Sequence, residues 1–424
     1  MDTDVQEQLA ELRRKIASID RKYATATPAT FTPRPGALRP ARYFVEELIS
    51  GTVVQTSGGE HFETEKLYAS HRRHGSVDIS SLIELPEDLL DSLSGGTILR
   101  SHPRRWAFLD TETTGLAGGA GTYAFLVGVG SIDEEGFRVR QFFMRDFADE
   151  ASLLGGLADY LSRFDVLITY NGKSYDQPLL ETRYRMARAR PPFARMAHLD
   201  LLHGARRLWK LRLDSCRLVE LENRILGLER EGDLPGEMIP YYYFQYLRTQ
   251  QAFQLVPIFH HNVMDIVSLA CLTAVVPFAF RSPEESTLRH GADLVGLARW
   301  LAQAARHEEA VRLFRRAVDL GLPDELLFKT MWEIGRLEKK LERYALALAV
   351  YTDLAAAKNP YRAPALEELA KYYERRERNY GMALEMTRAA LAIEDTAPLR
   401  RREQRLQGRL AGRKLPLTVS GPPL

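Results

Sequence analysis

Between Leu109 and Gly130 the chain reads LDTETTGLAGGAGTYAFLVGVG, which places two carboxylates, a glycine-rich loop and an apolar run in one short span. Trp106–Leu109 has the pattern of a buried strand. Side chains of an extended chain return to the same face every second residue, so Asp110 and Glu112 point the same way. Like charges at the end of an apolar strand repel each other, and a divalent cation between them removes the conflict. Oxygen ligands of this kind suit Mg²⁺ or Mn²⁺. The same Asp-x-Glu spacing also arises in solvated loops, so the pair gains weight only from the residues around it. Thr122–Ile132 reads as a second buried strand bounded by glycines. Gly128 and Gly130 open no helix in a G-x-G-x-x-G pattern, and no Gly-Lys-Ser/Thr makes a phosphate loop. Dinucleotide and P-loop fingerprints are therefore excluded, leaving the glycines for tight turns and the close approach of a substrate.

A chain of 424 residues, 45% hydrophobic and 27% charged, has material for two or three domains. The formal net charge is only +2, so attraction for nucleic acid has to come from a local patch. Cys216 and Cys271 provide neither a disulfide framework nor finger spacing, which suits a reducing compartment. The N-terminus is acidic and polar, unlike a signal peptide. The most apolar run, Ile266–Phe280, contains Pro277 and is shorter than a bilayer requires. A cytoplasmic location with no membrane partner is expected.

In chain order, Val5, Leu9, Leu12, Ile16 and Ile19 form a heptad seam on a helix within residues 1–24, suited to a short coiled coil or to packing on its own domain. Residues 25–40 carry Pro28, Pro33, Pro35 and Pro40 and read as a linker. Residues 41–100 read as an α+β extension: a helix at Tyr43–Ile49, a hairpin of Thr52–Gln55 with His61–Thr64 around Ser57-Gly58-Gly59, and a helix near Pro86–Leu93. His61, His71, His74 and His102 are scattered as surface histidines are. Phe137–Met144 makes a third strand of an antiparallel meander, Glu150–Phe164 a helix, and Val166–Tyr170 a buried strand that delivers Asn171 and Asp176 beyond its end. His198–Leu201 reads as a short strand, with Asp200 as an acidic neighbour of the site or a capping aspartate.

From Arg183 to Arg217 ten Lys or Arg face only Asp200 and Asp214, a surplus of eight. Such a run is a solvated face or a track for phosphates. Pro240–Tyr246 holds five aromatics, suited to the core or to stacking bases. His261 and Asp265 share a helix face at four residues apart, whereas His260 and Asp265 do not. After about Leu288 the segments beginning at Arg306, Arg343 and Asn379 repeat at spacings of 37 and 36 residues. They suggest paired tetratricopeptide-like helices over 286–396, a surface for a protein partner or a buttress. Residues 397–424 read as a basic, disordered tail.

The ordered set Asp110-x-Glu112, Asn171-x-x-x-Tyr175-Asp176 and His260-His261 ahead of Asp265 resembles the DEDD exonuclease superfamily on the ribonuclease H-like fold. The phrases LDTETTGLAGGAGTYAFLVGVG, TYNGKSYDQPLLETRY, LDLLHGARRLWK and HHNVMDIVSL look like its YprB-type branch, over about Glu46 to Val275. The resemblance implies an α/β ribonuclease H-like domain over 101–282, with a mixed five-stranded sheet and flanking helices, ahead of an all-α tetratricopeptide-like domain. It implies a 3′–5′ exonuclease acting on DNA or RNA, single-stranded or with a free 3′ end. Two ions, Mg²⁺ or Mn²⁺, would sit on Asp110, Glu112, Asp176 and Asp265. The histidine-type members select His260 as the base and the tyrosine-type register selects His261; helical geometry and the phrase His-Asn-x-x-Asp favour His261. Thr113, Asn171, Arg206, Arg207 and Lys210 are expected at the substrate, and the glycine loop becomes a hairpin turn beside the metals. The alternatives are a structure-specific endonuclease, or a catalytically idle protein acting through its helical repeats.

Overall fold

The computed structural model describes residues 43–413 except 95, 99, 116–120 and 231. The heptad helix, the proline-rich linker, the middle of the glycine loop and the last eleven residues of the tail lie outside this set. The chain divides into two compact units. One comprises the residues up to Glu87, Ser101–Asp200 and Leu221–Leu272; the other comprises Asp88–Arg100, Leu201–Glu220 and the chain from Thr273.

The first unit is built on a seven-stranded sheet. Its strands are β1 (Thr52–Thr56), β2 (Gly59–Ala69), β3 (Trp106–Thr113), β4 (Ala124–Ile132), β5 (Gly136–Phe143), β6 (Val166–Thr169) and β7 (Ala197–Asp200), in the order β1-β2-β5-β4-β3-β6-β7. β3, β4 and β5 form the expected antiparallel meander, and β6 and β7 add parallel to β3. Seven strands replace the expected five because the hairpin of the N-terminal extension joins the sheet. β2 pairs with β5 from Phe62↔Phe143 to Ala69↔Gly136. That hairpin is part of the ribonuclease H-like sheet, so the division between a 41–100 extension and a 101–282 domain falls inside one hydrogen-bonded ladder. Burial agrees with this order: every residue of β4 and β6 is buried, as central strands covered on both faces require.

Between and after these strands come, in chain order, helices α1 (Glu150–Leu161), α2 (Asp176–Met186), α3 (Leu201–Trp209, in the second unit), α4 (Ile239–Thr249) and α5 (Leu255–Arg281). Leu153, Leu154 and Leu157 of α1, Tyr242, Tyr243 and Tyr246 of α4, and Ile258 and Phe259 of α5 share one apolar core with β4 and β5. Phe125 stacks on Tyr243 at 3.9 Å, so the aromatic run of α4 is mainly core, with Phe244 left exposed. At 27 residues, α5 is long and apolar enough by composition to cross a bilayer, contrary to the shorter run counted in the sequence. However, 72% of its most apolar stretch is buried inside the protein.

Two histidines are not at the surface. His61 is fully buried, with Nδ1 2.8 Å from Ser152 Oγ, and His74 is buried, with Nε2 2.7 Å from Ser268 Oγ. Both lie in the N-terminal extension, which folds as part of this unit and covers them.

The second unit is helical. α6 (Gly291–Gln303) and α7 (His307–Asp319), α8 (Asp324–Lys340) and α9 (Tyr344–Ala356), and α10 (Arg362–Tyr372) and α11 (Tyr380–Leu391) form three successive pairs. The repeated segment opens the second helix of each pair. Ala310, Ala347 and Ala383 are its small buried residues, and a left-handed residue stands just ahead of it each time: Ala305, Glu342 and Arg378. The basic tail is not disordered at its start. Ala397–Arg413 forms α12, because Leu399 and Leu406 are buried and Arg402 and Arg405 reach Glu374 at 2.7 and 2.9 Å.

Candidate active site

Asp110 and Glu112 stand near the end of β3, opposite Gly128 and Leu126 of β4. The chain can bring α5 down onto this edge because β4 carries glycine there. A Cβ at Gly128 would overlap Asn262 Oδ1 and Ile266 Cδ1 of α5, and one at Gly130 would overlap the Phe137 ring and Ile266. The glycines of the apolar run therefore serve helix packing in addition to any turn. Asn262, fully buried, is pinned from both sides: Gln141 Nε2 of β5 donates to its Oδ1 at 2.9 Å, and its own Nδ2 donates to Asp110 Oδ2 at 2.9 Å.

Asp176 begins α2 and accepts a hydrogen bond from the Thr111 hydroxyl at 2.5 Å. The turn that delivers it is braced by Asp200, whose carboxylate accepts the Asn171 and Lys173 amides at 2.8 and 3.1 Å. Asn171 takes the left-handed conformation (φ 67°), which its short polar side chain tolerates, and a Cβ on Gly172 would overlap Thr169. Asp200 thus shapes the second motif.

The four carboxylates converge electrostatically. Burial and then the charges of Asp265, Glu112 and Asp176 hold Asp110 well above the usual aspartate range, against the Asn262 hydrogen bond. Burial, with Asp265, Asp176 and Asp233, raises Glu112 to about 8 despite the pull of His261. Burial raises Asp176 to about 6 although Thr111 donates to it. Such crowding is costly unless cations share the charge.

Positive charge comes from a segment that no sequence pattern marks. Arg230, 6% exposed in its side chain, pairs with Asp265 at 2.5 Å, with Asp233 at 3.0 Å and with the fully buried Glu222. His261 Nδ1 lies 3.0 Å from both oxygens of Asp233, and its Nε2 lies 3.7 Å from Asp265 Oδ2. An ionised carboxylate only accepts, so Nδ1 carries the hydrogen and donates. Asp233 falls to about 2: its burial is outweighed by the hydrogen bond from His261 and the charges of His261 and Arg230. Burial opposes charge on His261, but the bond to Asp233 and the charges of Asp265 and Glu112 lift it to about 9. His260 is exposed, and burial of part of its ring together with Lys66 lowers its pKa. Of the two adjacent histidines, His261 stands among the carboxylates.

Among the described residues no three His, Cys, Asp or Glu side chains form a ready-made ion-holding group. The carboxylates are gathered by charge, while Asp265 is held by Arg230, Asp110 by Asn262 and Asp176 by Thr111.

A family model described as the RNase_H superfamily matches residues 107–276. The protein YprB of Bacillus subtilis (strain 168) is 33% identical over 354 residues, which cover 81% of this chain and 83% of YprB. The chain belongs to the YprB family. Its ribonuclease H-superfamily domain is a nuclease-like fold, and the matched span contains Asp110, Glu112, Asp176, His261 and Asp265.

In this YprB-family chain Thr113 ends β3 and donates to the Gly115 carbonyl at 2.9 Å. Arg206 and Arg207 on α3, and Lys210 just after it, are exposed in the second unit, with the Arg207 guanidinium 5.1 Å from the Trp300 ring. The basic run is not a uniform free track: Arg183 is buried against Glu150 at 2.5 Å, and Arg212 meets Asp293 at 2.8 Å. No sequence motif marks Asp233, Arg230 or Glu222, and none assigns a role to Asn262, although it stands within the His-Asn-x-x-Asp phrase. Asn262 alone has a local signal, lying one helical turn ahead of Asp265.

Proposed function

We infer that this chain is a metal-dependent nuclease, a 3′–5′ exonuclease hydrolysing phosphodiester bonds of DNA or RNA at single strands or free 3′ ends. The observation that supports it most is the electrostatic coupling of acids from β3, α2 and α5: burial raises Asp110, Glu112 and Asp176, and the charges of Asp176 and Asp265 raise Asp110 and Glu112 further. The donor set fits the cations: it is all carboxylate oxygen, which suits Mg²⁺ or Mn²⁺. These four residues would hold two ions, with Asp265 exchanging its Arg230 partner. When bound, such ions supply charge stabilisation on the order of several kcal/mol to phosphoryl transfer.

The chain's own groups do the rest. Asn262 fixes Asp110, Thr111 fixes Asp176, and Asp233 fixes the His261 ring with Nε2 toward the acids. His261 is the residue to take a proton from the attacking water. It holds a proton of its own at neutral pH, and must first release it, which positive charge reaching the carboxylates promotes. Thr113 and Asn171 border the site along the strand end and the second-motif turn. Arg206, Arg207 and Lys210 supply exposed charge for the phosphate backbone. The cytoplasm is the expected compartment.

A catalytically idle protein acting through its helical repeats is the alternative. The crowding of all four carboxylates argues against it, because an idle site gains nothing from that repulsion. The test is incubation of the full chain with Mn²⁺ or Mg²⁺ and end-labelled single- and double-stranded DNA and RNA, beside a closed circle. Shortening from the 3′ end that vanishes in Asp110→Asn is expected. Absence of cleavage, or equal cleavage by the variant, overturns the nuclease; cutting of the circle overturns the exonuclease.

A further inference from the structure

Arg230 ties the carboxylate site to the interior behind it, and its hydrogen bonds are unevenly filled. Nη2 is shared: it donates to Asp265 Oδ1 at 2.5 Å and also to Glu222 Oε1, while Nη1 donates to Asp233 Oδ2 at 3.0 Å. Nε is buried and has no hydrogen-bond partner among the described residues. The same holds for Oε2 of Glu222, on the fully buried carboxylate that Nη2 already touches. The Ser268 hydroxyl also favours the charged form of Glu222, and it is engaged by His74 Nε2 at 2.7 Å. An unfilled donor and an unfilled acceptor therefore sit on the two members of one buried ion pair, and leaving either unmade is unfavourable.

A single rearrangement fills both. Nε and Nη2 together match the two oxygens of a carboxylate in a side-on fork. Arg183 takes this fork on Glu150 in the same unit, with Nε on Oε1 at 2.5 Å and Nη2 on Oε2 at 2.6 Å. On Glu222 the fork asks nothing of Asp265 and leaves Nη1 for Asp233. It is the arrangement open to Arg230 once a cation claims Asp265. Exposure decides which acid the cation meets, because the side chain of Asp265 is 20% exposed and that of Glu222 is sealed. Glu222 is also the fixed partner. It opens the π-helical turn Glu222–Leu226, whose Leu226 carbonyl accepts the Ser76 amide at 2.7 Å, and a Cβ on Gly75 would overlap that carbonyl. Arg230 stands in the irregular segment after Gly227.

We propose that Glu222 is a second seat for Arg230, so that a divalent cation gains Asp265 by exchange: the guanidinium leaves Asp265 and closes as a fork on Glu222. Glu222 is then a positioning residue that sets ion affinity without touching an ion. The exchange rests on the reading of the four carboxylates as a cation site, and it adds where the displaced positive charge goes and which buried acid controls it. Without the seat, Arg230 stays beside Asp265 and opposes the ion by like-charge repulsion. With it, the charge draws back and the fork replaces the bond given up.

The test uses the full chain and needs no turnover. The arginine Nε–H signals of the parent are followed by ¹H–¹⁵N NMR as Mg²⁺ is added, with the Arg230 signal assigned by its loss in Arg230→Lys. That signal should move downfield and exchange more slowly with solvent as the fork forms. Calorimetric titration with Mn²⁺ then compares the parent with Glu222→Gln and with Glu222→Asp, which keeps the charge and draws the carboxylate back by one methylene. Both variants should bind Mn²⁺ roughly tenfold or more weakly, the worth of a charge-assisted hydrogen bond. Weakening in Glu222→Gln alone would report only the lost charge and overturns the second seat. So does unchanged Mn²⁺ affinity in Glu222→Gln, or an Arg230 Nε–H signal that stays in place while Mg²⁺ binds; each of these leaves the cation site standing. Absence of Mn²⁺ binding to the parent overturns the cation site and the exchange together. If the Glu222 variants fail to fold, as their melting curves would show, the spectrum of the parent decides.

Discussion

Arg230 Nη2 lies 2.5 Å from Asp265 Oδ1 while the same guanidinium holds the fully buried Glu222. One arginine therefore balances an acid of the candidate site and an acid of the interior behind it. Removing it by Arg230→Met leaves Glu222 as an uncompensated buried charge. The expected loss is about 3–5 kcal/mol of unfolding free energy, the usual cost of breaking one partner of a buried pair. Urea unfolding measures it, and adding Glu222→Gln should recover part of the loss. A variant as stable as the parent would mean that Arg230 is not the counter-charge of this cluster.

Gly128 decides how closely α5 approaches β4. In Gly128→Ala the added methyl meets Asn262 Oδ1 and Ile266 Cδ1, both in a packed layer. Overpacking of this kind costs about 1–3 kcal/mol. Asn262 is also the donor to Asp110, so the displaced helix should lower nuclease activity more than the loss of folded protein explains. Thermal melts beside turnover measured well below the melting temperature separate the two effects. Ile266→Val in the same chain should restore some of both.

The histidines give a comparison within one dipeptide. His261 sits between Asp233 and Asp265, whereas His260 is exposed on the next face of the helix. His261→Gln should reduce the cleavage rate by about 10²–10⁴, the range for a lost acid–base group. His260→Gln should stay within a few-fold of the parent. Equal losses in the two variants would remove His261 from the mechanism, and a loss confined to His260→Gln would exchange their roles.

Whether a residue's role is legible in the sequence depends on the range of the interaction that creates it. Asp110 and Glu112 announce themselves by the two-residue period of a strand, Asp176 by its place after a strand end, and His261 with Asp265 by helical spacing. Each is a local pattern. The three repeated alanines and the meander are local in the same sense. Arg230 and Asp233 lie in an irregular segment between Gly227 and Gly236, where no periodicity assigns a side chain to a face. Their roles exist only once the fold has brought them to α5. His61 and His74 read as superficial because nothing near them in sequence says that a hairpin edge will be covered. The start of the basic tail reads as unstructured because Glu374, which meets Arg402 and Arg405, is 28 and 31 residues away.

His74 makes stability depend on pH in a direction that can be worked out. Burial, with Arg230 and Arg72 nearby, lowers its pKa from 6.5 to about 4. The folded protein therefore keeps the ring neutral in a range where the unfolded chain protonates it. Between those values the unfolded state binds the extra proton, so stability falls as the pH drops. The contribution is fully present above about pH 6.5, declines toward pH 4 and changes no further below it. Its full size is about 3 kcal/mol, since one pKa unit corresponds to ~1.4 kcal/mol. His74→Gln retains an amide that can bond Ser268 and removes the titration. Urea unfolding of parent and variant at several pH values from neutral to mildly acid should give a stability difference that shifts in favour of the variant as the pH falls. Parallel curves would show that His74 does not contribute to the acid sensitivity of the fold.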